Sequence, residues 1–288
     1  MNLFDGLEKF GFTGDQELDI TKEEKSREAR KTAASAVKKP LEEKDFLLDK
    51  KIKCPVCDKE FTSKIIKTGK LKRGTPDFDL KPNYDGIESA KYDVTLCPYC
   101  GYAALNKSFE HLSVNQMRSV RDQVCSKYRP SKEEETETYS YDQAMKRFQL
   151  ALISSIAKHA KLSEKSYICL RAAWLLRAEL KEMPENTDEE KALKKKKEIE
   201  YNEFYKQAYD GFSKALSSEM PPYYGLQTST LEYMLANMAV YFKDYSTASK
   251  LVSNLIQGTA TPSRIKDKAV DLKQEILKLL KEAEKSGK

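Results

Sequence analysis

From Tyr141 onward, apolar residues recur at three- and four-residue spacing, the signature of helices that bury one face. Tyr141, Ala144, Phe148, Leu152 and Ile156 mark a first helix. Ser163 then caps a second one carrying Tyr167, Leu170, Trp174 and Ala178, and the two should form an antiparallel hairpin. A third helix starts at the capping box Thr187-x-x-Glu190 after Pro184. Its first turns, through the block Lys194 to Lys197, should project into solvent, and its apolar face follows at Tyr201, Phe204, Ala208, Phe212 and Ala215. Pro221-Pro222 ends it. Leu231 to Phe242 and Ser246 to Gln257 predict two more helices, Gly258 stops the second of them, and Pro262 opens a sixth that reaches Lys281. Short connections make sequence neighbours pack antiparallel.

Upstream the period changes. Tyr92, Val94 and Leu96 alternate as a strand should, and Phe61 and Ile65 mark another strand. Ser108 to Tyr128 reads as a bridging helix with Phe109, Leu112, Met117, Val120 and Val124 inward, followed by a linker at Arg129-Pro130-Ser131-Lys132 and Glu133-Glu134-Glu135. At the other end, Phe4, Leu7, Phe10 and Phe12 form an apolar island ahead of a charged stretch from Thr13 to about Lys44. We read the island as a partner-docking element on a flexible tether; packing on the chain's own cysteine module is the alternative. The expected division is 1–45 for island and tether, 46–105 for the cysteine module, 106–138 for bridging helix and linker, and 139–284 for the helical domain.

Composition narrows the class. With 288 residues, 40% hydrophobic and 33% charged, the chain has material for real cores and wide solvated faces. The net charge of +6 is a small difference between 51 basic and 45 acidic residues and does not by itself mark a nucleic-acid binder. No run of about 18 apolar residues is present to span a membrane. The first ten residues mix acids with apolar residues, unlike a secretion signal. A reducing, cytoplasmic setting is therefore expected for the six cysteines.

Four of those cysteines carry the chemistry. Cys54-Pro55-Val56-Cys57 and Cys97-Pro98-Tyr99-Cys100-Gly101 are two copies of a tight turn that aims two thiolates at one metal. The residue after each pair must accept positive φ, which Gly101 does freely and Asp58 tolerates. Four soft ligands suit tetrahedral Zn2+ in a structural zinc ribbon; a single iron in a rubredoxin-like site has the same ligands and is the alternative. The 39-residue spacer between the pairs predicts an excursion over Lys67 to Ala90. A full shell of thiolates leaves no position for water, so catalysis at the metal is not expected.

Other candidates are weighed against plainer roles. Lys64, Lys67, Lys70, Lys72 and Arg73 lie within ten residues free of acids, a strand that a zinc ribbon could present to nucleic acid. The acids that follow, Asp77, Asp79, Asp85 and Glu88, could equally neutralise them. His111 and His159 read as helix-face residues, Trp174 as core, and Cys125 and Cys169 as small buried apolar residues. Many of the sixteen tyrosines sit in the helical half, where they can pack with hydroxyls at the rim and line a concave face. No phosphate-binding glycine loop, nucleophile elbow or paired acid is present, so neither an enzyme nor a small-molecule substrate is expected.

Two resemblances add to this reading. Leu231 to Pro262 resembles one tetratricopeptide repeat, with the turn Lys243-Asp244-Tyr245-Ser246, a small residue at Ala248 for helix crossing, and a proline after the second helix. Gly6-Leu7-Glu8-Lys9-Phe10-Gly11, the two cysteine turns and Cys169-Leu170-Arg171-Ala172-Ala173-Trp174, in that order, resemble an uncharacterised bacterial family, domain of unknown function 2225. That resemblance implies a zinc ribbon followed by tetratricopeptide-like helices in a bacterial cytoplasmic protein, and implies no known reaction. The expectation is a mainly α protein with a small β zinc ribbon, acting as an adaptor for a protein or peptide, with nucleic acid as the alternative partner.

Overall fold

The computed structural model describes residues 41–130 and 136–286, and Glu42 onward forms one compact unit. Phe4, Leu7, Phe10 and Phe12 lie outside the described residues. Two antiparallel hairpins come first. β1 (Leu47–Lys53) pairs with β2 (Glu60–Ile66) in the register Leu47 to Ile66 through Lys53 to Glu60. β3 (Val94–Leu96) pairs with β4 (Ala103–Leu105), with Val94 opposite Leu105 and Leu96 opposite Ala103. A cysteine pair forms the turn of each hairpin. The solvent alternation expected of a surface strand is absent from β3, where Thr95 is buried beside Val94 and Leu96 because its hydroxyl donates to Asn106 Oδ1 at 2.8 Å.

The bridging segment departs from the expected single helix. Asn106–Ser108 is a short 3-10 turn, and Phe109 drops into the core under the cysteine turns, its carbonyl accepting from Tyr102 OH at 3.1 Å. The helix α1 (Val114–Val120) begins only at the Ser113/Gln116 capping box and runs into a π-helical turn, Arg121–Cys125. Burying Phe109 and starting at a cap five residues later are incompatible with continuous helix from Ser108.

Six helices follow: α2 (Tyr141–Ala157), α3 (Leu162–Glu182), α4 (Asp188–Ser218), α5 (Thr228–Tyr241), α6 (Tyr245–Gln257) and α7 (Ser263–Ser286). Capping boxes at Ser140/Gln143 and Thr187/Glu190 start α2 and α4. Ser163 is not a cap: α3 begins one residue earlier, and Glu219 Oε1, from the end of α4, accepts from the N–H groups of Leu162 at 2.7 Å and Ser163 at 3.2 Å. A carboxylate from a distant turn thus does the capping. Ile156 is 55% exposed although its spacing puts it on the apolar face of α2. Nor do the first turns of α4 simply project outward, since Lys197 binds Asp142 at 3.0 Å and Glu179 at 3.1 Å and Lys194 pairs with Glu185.

The largest core joins the two halves. Leu96, Ala103 and Leu105 of the second hairpin pack with Ala144, Phe148, Leu170, Leu175 and Phe212. A separate C-terminal cluster forms around Ala236, Ala239, Ala248, Val252 and Leu272, where small residues let α5 and α6 approach closely. Tyr201 and Tyr205 are buried and stacked at 5.4 Å, with Tyr205 also edge-on to Tyr241 at 5.2 Å. Tyr201 and Tyr205 thus build core, while Tyr241 is 40% exposed.

Candidate metal centre

The two cysteine turns are near copies in backbone. Cys54 N–H donates to Lys59 O and Asp58 N–H to Cys54 O, both at 2.9 Å. Cys97 N–H likewise donates to Tyr102 O at 2.9 Å and Gly101 N–H to Cys97 O at 3.0 Å. The residue after each pair takes positive φ as expected, 62° at Asp58 and 76° at Gly101. At Gly101 a Cβ would also lie 2.3 Å from Tyr128 Cγ, so close packing requires glycine there as well as the dihedral. Asp58 carries its side chain outward, where it meets Lys53 at 3.5 Å.

Because the turns face each other, the four sulfurs of Cys54, Cys57, Cys97 and Cys100 all lie within 4.8 Å of one another. Cys54 and Cys100 are 3.7 Å apart and Cys57 and Cys97 3.6 Å. Four thiolates around one tetrahedral ion at about 2.3 Å would sit about 3.8 Å from each other, so two of the sulfur separations already match such an ion and the whole set lies within about an ångström of it. Hydrogen bonds from Cys100 and Cys54, with the backbone N–H groups of Cys100 and Tyr99, hold Cys97 well below the ordinary thiol range against the effect of burial. Cys54 receives lowering hydrogen bonds from Cys100 and from the backbone of Cys57 and Val56, but Cys97 and burial outweigh them and push its thiol up to about 12. Turn amides that favour thiolate are what a metal ligand requires.

A supporting layer surrounds the sulfurs. Arg121, on the π-helical turn, donates from Nε and Nη2 to Val56 O at 2.8 and 2.6 Å, fixing the first cysteine turn from behind. Cys125, on the same turn, packs against the cluster as the small apolar residue the sequence suggests, half-buried rather than fully buried. Cys169 is buried in the helical core, and burial pushes its thiol up to about 12. His111 and His159 are exposed and neither belongs to the four-thiol group.

The basic residues of the excursion are dispersed. Lys64 pairs with Asp49 at 3.1 Å, and Lys67 and Lys70 both donate to the carbonyl of Asp45, at 3.4 and 3.1 Å. Lys72 and Arg73 are exposed. Glu88 binds Lys81 at 2.7 Å, and Asp77 and Asp79 turn to the helical half. Asp79 is fully buried and accepts from Trp174 Nε1 at 2.8 Å, Arg177 Nη2 at 2.8 Å and Tyr205 OH at 3.0 Å. Arg171 forms a close ion pair with Asp93 at the foot of β3. The segment Cys169 to Trp174 therefore ties α3 to the cysteine module twice, by Arg171 and by Trp174.

Among the described residues no helix is long and apolar enough to cross a membrane. No curated protein and no solved structure matches the chain. A family described as "Uncharacterized protein conserved in bacteria (DUF2225)" matches residues 47–276, which takes in both cysteine turns, the excursion and most of the helical half. The chain belongs to that bacterial family, and its four clustered thiols are a candidate metal site built on two short hairpins.

Proposed function

We propose that this protein is a non-catalytic adaptor, with a structural zinc ribbon that stiffens the N-terminal half and a helical half that holds an apolar peptide. Zinc is preferred over iron because four clustered thiolates, three of them buried, with no exchangeable position suit an ion that has no redox task. When bound, the ion would supply a cross-link between the two hairpins. The tetratricopeptide-like reading of α5 and α6 draws support from Ala248, fully buried where the two helices meet, and from Pro262 directly after them. Six cysteines without a disulfide are compatible with a cytoplasmic setting.

The observation that carries the reading is a groove of about 1020 Å3 beside α2, α3 and α4. Ile156 and Ile199, 55% and 54% exposed, stand with Leu152 and Phe204 along it, and Lys165, Glu203 and Lys206 border it. Large apolar side chains held open to water beside polar neighbours favour an amphipathic helix that inserts its own apolar face. Selection of peptides from a random displayed library on the metal-loaded chain tests this. Enriched peptides with an i, i+3, i+4 apolar pattern should lose binding to Ile156→Asp and Ile199→Asp proteins of unchanged circular dichroism. Enrichment of no such pattern, or binding indifferent to both changes, would refute the groove as the docking face.

A further inference from the structure

A second cleft, of about 600 Å3, opens between the excursion and the helical half. Arg73 and Tyr84 of the excursion, Tyr167 and Trp174 of α3, and Arg264 and Lys268 of α7 all line it. No carboxylate lines it. Arg171, also in the lining, is already matched by Asp93, so Arg73, Arg264 and Lys268 make the rest of the lining cationic. Among the described residues neither Arg73 nor Arg264 has an ion pair or side-chain hydrogen bond, and Lys268 has only the Tyr233 ring, 6.0 Å from its Nζ. Three cations lining one cleft repel one another and gain most when an anion sits between them.

The backbone points the same way. The first turns of α5 and α7 line the cleft through Thr230, Arg264 and Ile265. The first-turn N–H groups of α5, which like those of any helix have no intrahelical acceptor, receive no side-chain cap from Gln227. Two positive helix ends beside three unpaired cations make a site for concentrated negative charge. The tyrosine rings and the size of the cleft, within the range of about 300–1,000 Å3 for small-molecule sites, add a planar apolar group to the ligand. An acidic peptide would call for an extended groove with charge spread along it.

We propose that this cleft binds a phosphate-bearing ligand with a planar ring, the chemistry of a nucleotide. The phosphates meet Arg73, Arg264 and Lys268, where guanidinium forks can each engage two oxygens, and the ring lies against Tyr84 and Tyr167. No sequence motif announces such a site, because its walls come from residues nearly two hundred positions apart. This inference stands independently of the adaptor reading, since the cleft and the apolar groove share no lining residue.

Isothermal titration of the full metal-loaded chain with ATP, GTP, inorganic pyrophosphate and a polyglutamate peptide tests the proposal. At least one nucleotide should bind in the micromolar range and tighter than pyrophosphate or the peptide. The double change Arg264→Ala/Lys268→Ala, and separately Arg73→Ala in the excursion, should each weaken it about tenfold or more. Metal content and Trp174 fluorescence of these surface variants should match the parent. No binding up to about 1 mM overturns the proposal. So does pyrophosphate or polyglutamate binding as tightly as either nucleotide, or nucleotide affinity that survives both sets of changes.

Discussion

Removing Asp79 should loosen the attachment of the excursion to the helical half more than any other single change in that segment. Its carboxylate, with 0% of its side chain exposed, is the shared acceptor for Arg177, itself 12% exposed, for the indole N–H of Trp174 and for the hydroxyl of Tyr205. Asp79→Ala leaves all three donors buried and the guanidinium short of its main counter-charge. Breaking one side of a buried pair costs about 3–5 kcal/mol. Asp77, 3.5 Å from Arg177, retains part of the compensation, so the lower end, about 3 kcal/mol, is expected. Nε and Nη1 of Arg177 already lack hydrogen-bond partners, which leaves the group little reserve. Asp79→Asn keeps an acceptor for Trp174 and Tyr205 while losing the charge, and should cost less. Asp79→Ala combined with Arg177→Leu should recover part of the loss, since no unpaired charge then stays buried. Urea unfolding followed by the fluorescence of Trp174, the only tryptophan, reads the affected site directly. A loss below about 1 kcal/mol for Asp79→Ala would refute the view that this network is dry and tightly coupled.

Three further outcomes are expected. Zinc analysis of protein purified without added metal should give one ion per chain, and Cys97→Ser should abolish it together with the protease resistance of the two hairpins; iron content and colour would instead establish the rubredoxin-like alternative. Gly101→Ala should destabilise by more than about 2 kcal/mol, read by chemical unfolding, because a methyl group meets the Tyr128 ring at φ 76°, whereas Asp58→Gly should change stability by less than about 1 kcal/mol. Asp244 caps α6 by accepting from Thr247 N–H at 3.1 Å, and its hydrogen bonds to Thr247 hold its carboxyl below the ordinary 3.8. A lowered carboxylate pKa adds stability above the unfolded value and loses it as pH falls through the folded one. Asp244→Ala should therefore cost about 1 kcal/mol near neutrality, with the difference from the parent shrinking in melts taken below pH about 4.

Much of the local structure was legible because it depends on neighbours in sequence. The box Thr187/Glu190, the stop before Pro221 and the turn at Asp244 all act within four residues, and each element begins or ends close to where those signals lie. The cysteine turns were equally legible, since the C-P-x-C spacing and the positive φ that follows it are local geometry. Ser163 failed as a cap because Glu219, fifty-odd residues away, competes better for the same N–H groups. Ile156 failed as a core residue because no helix covers the side of α2 on which it lies, a fact that periodicity cannot express.

The sequence by itself determined the helices of the C-terminal half, the two cysteine turns and the mainly α class, because hydrogen bonding and dihedral preference operate over a few residues. Only the tertiary structure decided where charge would be spent. It drew Lys64, Lys67 and Lys70 into contacts with Asp49 and Asp45, and it buried Asp79 against Arg177. It also packed Cys125 against the cysteine cluster and, among the described residues, left Arg73 and Arg264 lining one cleft without an ion pair. Coulombic and desolvation energies depend on distance in space and on exclusion of water, and neither follows from separation along the chain.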